Sequence, residues 1–385
     1  MTVRLYDTAR RAVVPFEPGP VVTMYTCGIT PYDSAHIGHA ATYVAYDVLQ
    51  RRLRDLGHET HCVRNVTDVD DDILRKAREL GVHYLDLAAE EMARFTENMQ
   101  ALGLLPAYSE PRATSAIPDI LGFIDRVLAA GHAYRAGGAV YFDVSSFAEF
   151  GQVSHLERDE MLRLAAVHGG KPDDPHKQDP LDFVLWQPSA PDEPAWESLW
   201  GPGRPGWHIE CSALAMRELG TTIDLHGGGS DLVFPHHECE AAQSEAATGE
   251  RFVRHWMHVG MVRMDGEKMS KSLGNLMFVS DLLKEWKPGA IRLAIVAQHY
   301  RAGWEWNERL MPEAAGRLER WTAAGAGAGA LDDVRAALDD DLDTPAAVAA
   351  IDAAVARGEG VSDAAALLGL EVGGGTRPVW GRVQR

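Results

Sequence analysis

In the stretch GEKMSKSLGN (266–275), Lys268 and Lys271 stand three residues apart among small polar residues, just before Gly274. Two readings are open for such a pair: a solvated loop, or two cations that close over a triphosphate during in-line displacement at its α-phosphorus. In TCGITPYDSAHIGHA, His36 and His39 bracket Gly38 where a helical pattern begins. Free N–H groups at a helix N-terminus attract phosphate, and glycine lets the backbone come close to a ligand. Histidines there also serve as caps or core residues, so the pair alone is weak. Cys27, Cys211 in GWHIECSA, and His236 and Glu240 in FPHHECE offer metal chemistry. His236 and Glu240 are four apart and share a helix face, whereas His237 is expected about 100° away. Two thiolates, one imidazole and one carboxylate, gathered from three distant segments, would make a zinc set. No C-x-x-C pair announces it, and plain burial is the alternative.

These residues need elements to bring them together. VVTMYTCG reads as a buried strand, GHAATYVAYDVLQRRLRDLG as a helix stopping at Gly57, and HETHCVRNV as a second strand. Strand, helix, strand in some forty residues is a βαβ unit, and its sheet should carry sites at the carboxyl ends of its strands. Residues 72–135 read as mostly helical, and GGAVYFDVSSF as strand. From Gly169 to Gly206 the chain fills with Pro, Gly and Asp, which suits a long functional loop or an inserted lobe better than regular elements. TTIDLHGGGSDLVFPHHE reads as strand, glycine turn and helix start, and HWMHVGMV as another strand. Beyond Leu276 the pattern is helical, with TAAGAGAGAL (322–331) as a joint between helices.

At 385 residues the chain exceeds what one core usually serves. No run approaches 18 uncharged apolar residues and no signal peptide is visible, so a cytoplasmic protein away from membranes is expected. Four widely spread cysteines argue against a disulfide framework. A formal net charge of −19 repels nucleic acid on average, although a local basic patch can override it.

HIGH at 36–39 and KMSKS at 268–272 resemble the paired signatures of the class I aminoacyl-tRNA synthetases, and NVTDVDD, GRPGWHIECSA and HGGGSDLVFPHHE resemble their cysteinyl branch. The resemblance covers roughly residues 20–310. It implies an α/β fold: a Rossmann-like parallel sheet whose halves span residues 1–115 and 206–278, an inserted connective lobe at 116–205 and a helical C-terminal region at 279–385. Within the branch stand cysteinyl-tRNA synthetases and the related ligases of mycothiol biosynthesis, which pass activated cysteine to the amine of glucosaminyl-inositol. CGITPYD and the loop GGKPDDPHKQDPLDFVLW resemble the ligases, and only about 110 residues follow KMSKS. HHECEAAQSEA keeps Glu240 and a Gln-Ser pair as a synthetase would. A truncated synthetase, or a paralogue serving another small amine, is the alternative.

The resemblance further implies that Cys27, Cys211 and His236 hold one Zn2+, with Glu240 a fourth ligand or an outer group. It puts the cysteinyl adenylate against Cys27, Gly28, Ile29, Thr30, Thr42, Asn65, Val66, Thr67, Trp207, Gly229, Ser230, Asp231 and Val262. His36, His39, Lys268 and Lys271 would act on ATP, which brings Mg2+. L-cysteine, ATP and a small amino-sugar acceptor are the expected partners, tRNA is not, and a monomer is expected.

Overall fold

The computed structural model describes residues 2–269 and 274–373, so Lys271 lies outside the described residues. At the centre are four parallel strands in the order Trp256–Val259, Leu225–Gly229, Val21–Ile29 and Glu59–Val66. Because all four run the same way, Val259, Gly229, Ile29 and Val66 end along one edge of the sheet. Helix Ile37–Asp55 crosses between the Val21–Ile29 and Glu59–Val66 strands, as the βαβ pattern requires.

Glycine fixes how closely these strands pack. A Cβ on Gly28 would lie 1.5 Å from the Asn65 carbonyl oxygen, and one on Gly227 would lie 1.6 Å from that of Met257. The run HGGG was expected to start a turn, but Gly227–Gly229 are strand residues paired with Met257–Val259. Bare backbone is needed there to let the neighbouring strand and the Tyr46 hydroxyl approach.

A second, antiparallel sheet joins Ala133–Ala136, Ala139–Phe142, Phe183–Gln187 and Arg204–Pro205 in chain order. Its third strand, FVLWQ, falls in the Pro- and Gly-rich stretch that read as loop or lobe. Five residues are too few for a periodicity to stand out, yet Leu185 and Trp186 are fully buried. Beyond Leu276 come the helices Val279–Glu285, Pro288–Val296, Leu310–Ala324, Leu331–Asp339, Thr344–Ala356 and Ser362–Leu367, interrupted by the short strand Trp304–Glu305. The glycine–alanine joint lies between the third and fourth of these helices.

Two large apolar clusters divide the burial. One runs from Val22 and Met24 through the Ile37–Asp55 helix to Trp321, Ile351 and Leu367 of the C-terminal helices. The other joins Tyr25 and Cys27 to helices Ile117–Ala129, Trp207–Leu219 and Glu238–Thr248 and to the antiparallel sheet. The Val21–Ile29 strand thus gives one face to each cluster, and Cys27 emerges where it ends. Among the described residues, no helix is long and apolar enough to cross a membrane.

Candidate metal centre and nucleotide edge

Cys27 is at the end of its strand, Cys211 on the second turn of helix Trp207–Leu219, and Glu240 on the first turn of helix Glu238–Thr248. His236 and His237 precede that helix in a π-type turn, Val233–His237. The donor atoms of Cys27, Cys211, His236 and Glu240 all lie within 4.8 Å of one another, and all four residues are buried. Cys27 Sγ is 4.0 Å from Cys211 Sγ and 3.5 Å from Glu240 Oε1, and His236 Nε2 is 3.0 Å from Glu240 Oε1. Metal–ligand bonds of about 2.0–2.3 Å imply tetrahedral edges of roughly 3.3–3.8 Å, so the spacing suits one ion.

Electrostatics point the same way. Burial, then the hydrogen bond and charge of Cys211, push the Cys27 thiol well above its usual value. At Cys211 the bond with Cys27 draws the value down, but burial and Glu240 outweigh it. Burial pushes His236 and His237 well below the usual imidazole value and His208 and His258 to about 3, so these rings are neutral at pH 7. Neutral imidazoles are what a metal needs, and a bound dication reverses the penalty on the thiolates. His236 Nε2 is buried with no hydrogen-bond partner although Glu240 Oε1 is close by. Converging lone pairs on S, S, N and O, with nothing positive among them, fit a soft divalent cation such as zinc.

The outer contacts orient these donors. His236 Nδ1 and His208 Nδ1 are 2.8 Å apart, and when His236 donates, its Nε2 lone pair faces the cluster. Trp207, the first residue of its helix, stacks on His236 at 4.0 Å. Gln243 donates to the His208 carbonyl and to Ser212 Oγ, both at 2.7 Å. His237 is not turned away as the 100° step from His236 suggested: its Nε2 lies 3.3 Å from Cys27 Sγ, and standing three residues before Glu240 on helical backbone it shares that residue's face, as His236 does from four. His226 also enters, 3.1 Å from Glu240 Oε2, and His258 touches His237 at 2.7 Å. His208, His226, His237 and His258 were not among the sequence candidates. Only the density of histidine in LHGGG, PHHE and HWMHV hinted at them.

Next to this pocket, His36 caps helix Ile37–Asp55, its Nδ1 accepting from Gly38 N at 3.1 Å, and its ring stacks on His39 at 3.8 Å. Thr42 donates to the Gly38 carbonyl. Asn65 Oδ1 accepts from Gly28 N at 2.8 Å while its amide donates to Thr67, and Ile29 pairs with Val66, so the two strand ends are locked in register. Thr30 donates to Asp70, the cap of helix Asp71–Leu80. Gly229 ends its strand, with Ser230 and Asp231 in the turn that follows. Val262 starts a short strand whose next residue, Arg263, pairs with Lys268, and Met269 N donates to the Val262 carbonyl. The lysine turn therefore begins beside the strand carrying Val262.

A parallel sheet with a capped helix after its first strand and a donor cluster at its carboxyl edge has the architecture of class I synthetases. Residues 13–316 match the family described as "tRNA synthetases class I (C) catalytic domain", and the chain belongs to that family. A Thermobispora bispora protein named L-cysteine:1D-myo-inositol 2-amino-2-deoxy-alpha-D-glucopyranoside ligase is 49% identical over 94% of this chain and 92% of its own. A Mycobacterium ulcerans protein of the same name is 50% identical over 91% of this chain and 88% of its own. Among solved structures, Mycobacterium tuberculosis methionyl-tRNA synthetase in complex with methionyl-adenylate matches with a TM-score of 0.67, covering 87% of this chain and 82% of that one. At 16% identity that likeness speaks for the fold alone.

Proposed function

We propose that the protein is an ATP-dependent ligase that activates L-cysteine as cysteinyl-AMP and joins it to the amine of glucosaminyl-inositol, releasing pyrophosphate and AMP. The buried S, S, N, O cluster at the strand edge carries the cysteine assignment. The acceptor rests on the names of relatives near 50% identity along almost the whole chain. When bound, Zn2+ would take the substrate sulfur as a soft thiolate and disfavour a serine hydroxyl, so selection needs no editing site.

Cys27, Cys211 and His236 are the proposed metal ligands, with Glu240 as the fourth. Trp207 and the strand ends Cys27–Thr30 and Asn65–Thr67 would hold the amino acid, its carboxylate aimed at the α-phosphorus. Thr42, Gly229–Asp231 and the backbone at Val262 would take the nucleotide. His36 and His39, at the start of a capped helix, would contact phosphates carried with Mg2+, and Lys268 and Lys271 would close over them. Carboxylate oxygen attacks the α-phosphorus and pyrophosphate leaves. The deprotonated acceptor amine then attacks the adenylate carbonyl, forming the amide and releasing AMP.

Acceptor profiling tests this. Purified protein with ATP, Mg2+ and cysteine should form amide with glucosaminyl-inositol in step with AMP release and should not charge tRNA(Cys). Cysteinyl-tRNA formation matching AMP release, without amide product, would instead assign a cysteinyl-tRNA synthetase.

A further inference from the structure

The pocket holds more ligands than one tetrahedral ion uses. Cys27, His226, His237 and Glu240 form a second buried group of four whose donor atoms also lie within 4.8 Å of one another. Its edges are 3.3 Å from Cys27 Sγ to His237 Nε2, 3.5 Å from Cys27 Sγ to Glu240 Oε1 and 4.0 Å from His237 Nε2 to Glu240 Oε1. Glu240 turns its other oxygen to His226 Nε2 at 3.1 Å. These separations bracket the roughly 3.3–3.8 Å edges of a zinc tetrahedron, as those of the first group do. The two groups share Cys27 and Glu240, so they can serve one ion in turn but not two at once.

We infer that the pocket seats a single soft divalent cation in either of two overlapping positions, the second made by Cys27, His226, His237 and Glu240. This rests on the metal reading above. The first position is the stronger, with two thiolates and a His236 ring held from behind by His208. In the second, His237 is held by His258, which in turn reaches Thr8 Oγ1 at 2.7 Å, but His226 Nδ1 is buried without a partner. Loss of such an outer contact typically weakens metal binding about 10- to 100-fold. The ion therefore rests in the first position and occupies the second when a donor there is withdrawn. Moving across releases Cys211 and His236 while Cys27 and Glu240 stay bound. The ion thus exchanges those two donors for His226 and His237 without leaving the protein.

The test compares metal content and cobalt spectra of wild type, Cys211→Ser, His236→Ala and the double variant Cys211→Ser with His237→Ala. Each single variant should retain about one ion per chain and yield it to a chelator about 10- to 100-fold more readily than wild type. In the cobalt form, the sulfur-to-cobalt charge-transfer band should fall by about half in both single variants, since the second position keeps one thiolate of two. The double variant should be metal-free. If both single variants are metal-free while circular dichroism shows them folded, the second position does not exist. A wild type that binds no metal overturns the metal reading itself, and this inference with it.

Discussion

Asp70 links folding to the proposed site through one side chain. It caps helix Asp71–Leu80 by accepting from Ile73 N at 2.9 Å, and it accepts from Thr30 Oγ1 at 3.0 Å beside the proposed adenylate. Burial raises its carboxyl from 3.8 to about 6, against the pull of those hydrogen bonds. A carboxyl whose pKa rises on folding binds its proton more tightly when folded, so stability falls as pH climbs from about 4 through 6 and the full cost stands above that. Asp70→Asn keeps the cap, since Asn serves as well as Asp there. The variant should flatten the stability profile between pH 4 and 6 and gain up to about 3 kcal/mol at pH 7.5. Urea titrations at pH 4, 6 and 7.5 check this, and a less stable variant at pH 7.5 would mean that the carboxylate is favoured in the fold. At this scale the sequence was half legible. Cys27, Cys211, His236 and Glu240 could be named from donor type and a four-residue step. The supporting histidines could not: His226 and His258 come from separate strands, and the 100° step between His236 and His237 hides that both stand within about one turn of Glu240, four and three residues away.

The strand Leu225–Gly229 shows why an element can be misread while its place is right. Three glycines after a histidine suggest a turn, since glycine is favoured where φ is positive, but none of Gly227–Gly229 has a positive φ. What requires glycine is the neighbouring backbone: a methyl at 227 would meet Met257 O at 1.6 Å and Tyr46 Oη at 2.3 Å. Gly227→Ala should therefore force the Trp256–Val259 strand outward and cost about 3 kcal/mol or more, the upper end for overpacking. Chemical unfolding reads this directly. A loss below about 1 kcal/mol would show that the sheet can yield there. The Val21–Ile29 and Glu59–Val66 strands and the helix between them were legible because each carries a full period of buried residues. FVLWQ was not, being short and flanked by Pro and Asp.

Across the whole molecule, the helix that starts at the HIGH motif is tied to the C-terminal region by buried charges. Asp47 on that helix pairs with Arg292 of Pro288–Val296 and with Arg51 at 2.7 Å, and Arg292 also donates to the carbonyls of Leu368 and Leu102. Arg52 reaches Asp339 at 2.8 Å, and Arg335 reaches Asp55 at 2.8 Å. Burial pushes the Asp47 carboxyl up, but Arg292 and Arg51 outweigh it and bring the value down to about 2. Its contribution is therefore present above about pH 4 and is lost only as pH falls through 2. Sequence could give the C-terminal helices but not this tie, since partners some 240 residues apart leave no local pattern. The tie makes the C-terminal helices a brace for the helix that presents His36 and His39. Arg292→Met should cost about 3–5 kcal/mol, because it strands a carboxylate in an apolar surround. Adding Asp47→Asn should recover part of that loss, which separates charge from packing. Cysteine-dependent ATP–pyrophosphate exchange by the single variant should fall at temperatures where wild type is still fully active and recover partly in the double variant. A single variant that unfolds within about 1 kcal/mol of wild type would mean that the apolar cluster alone joins the two regions.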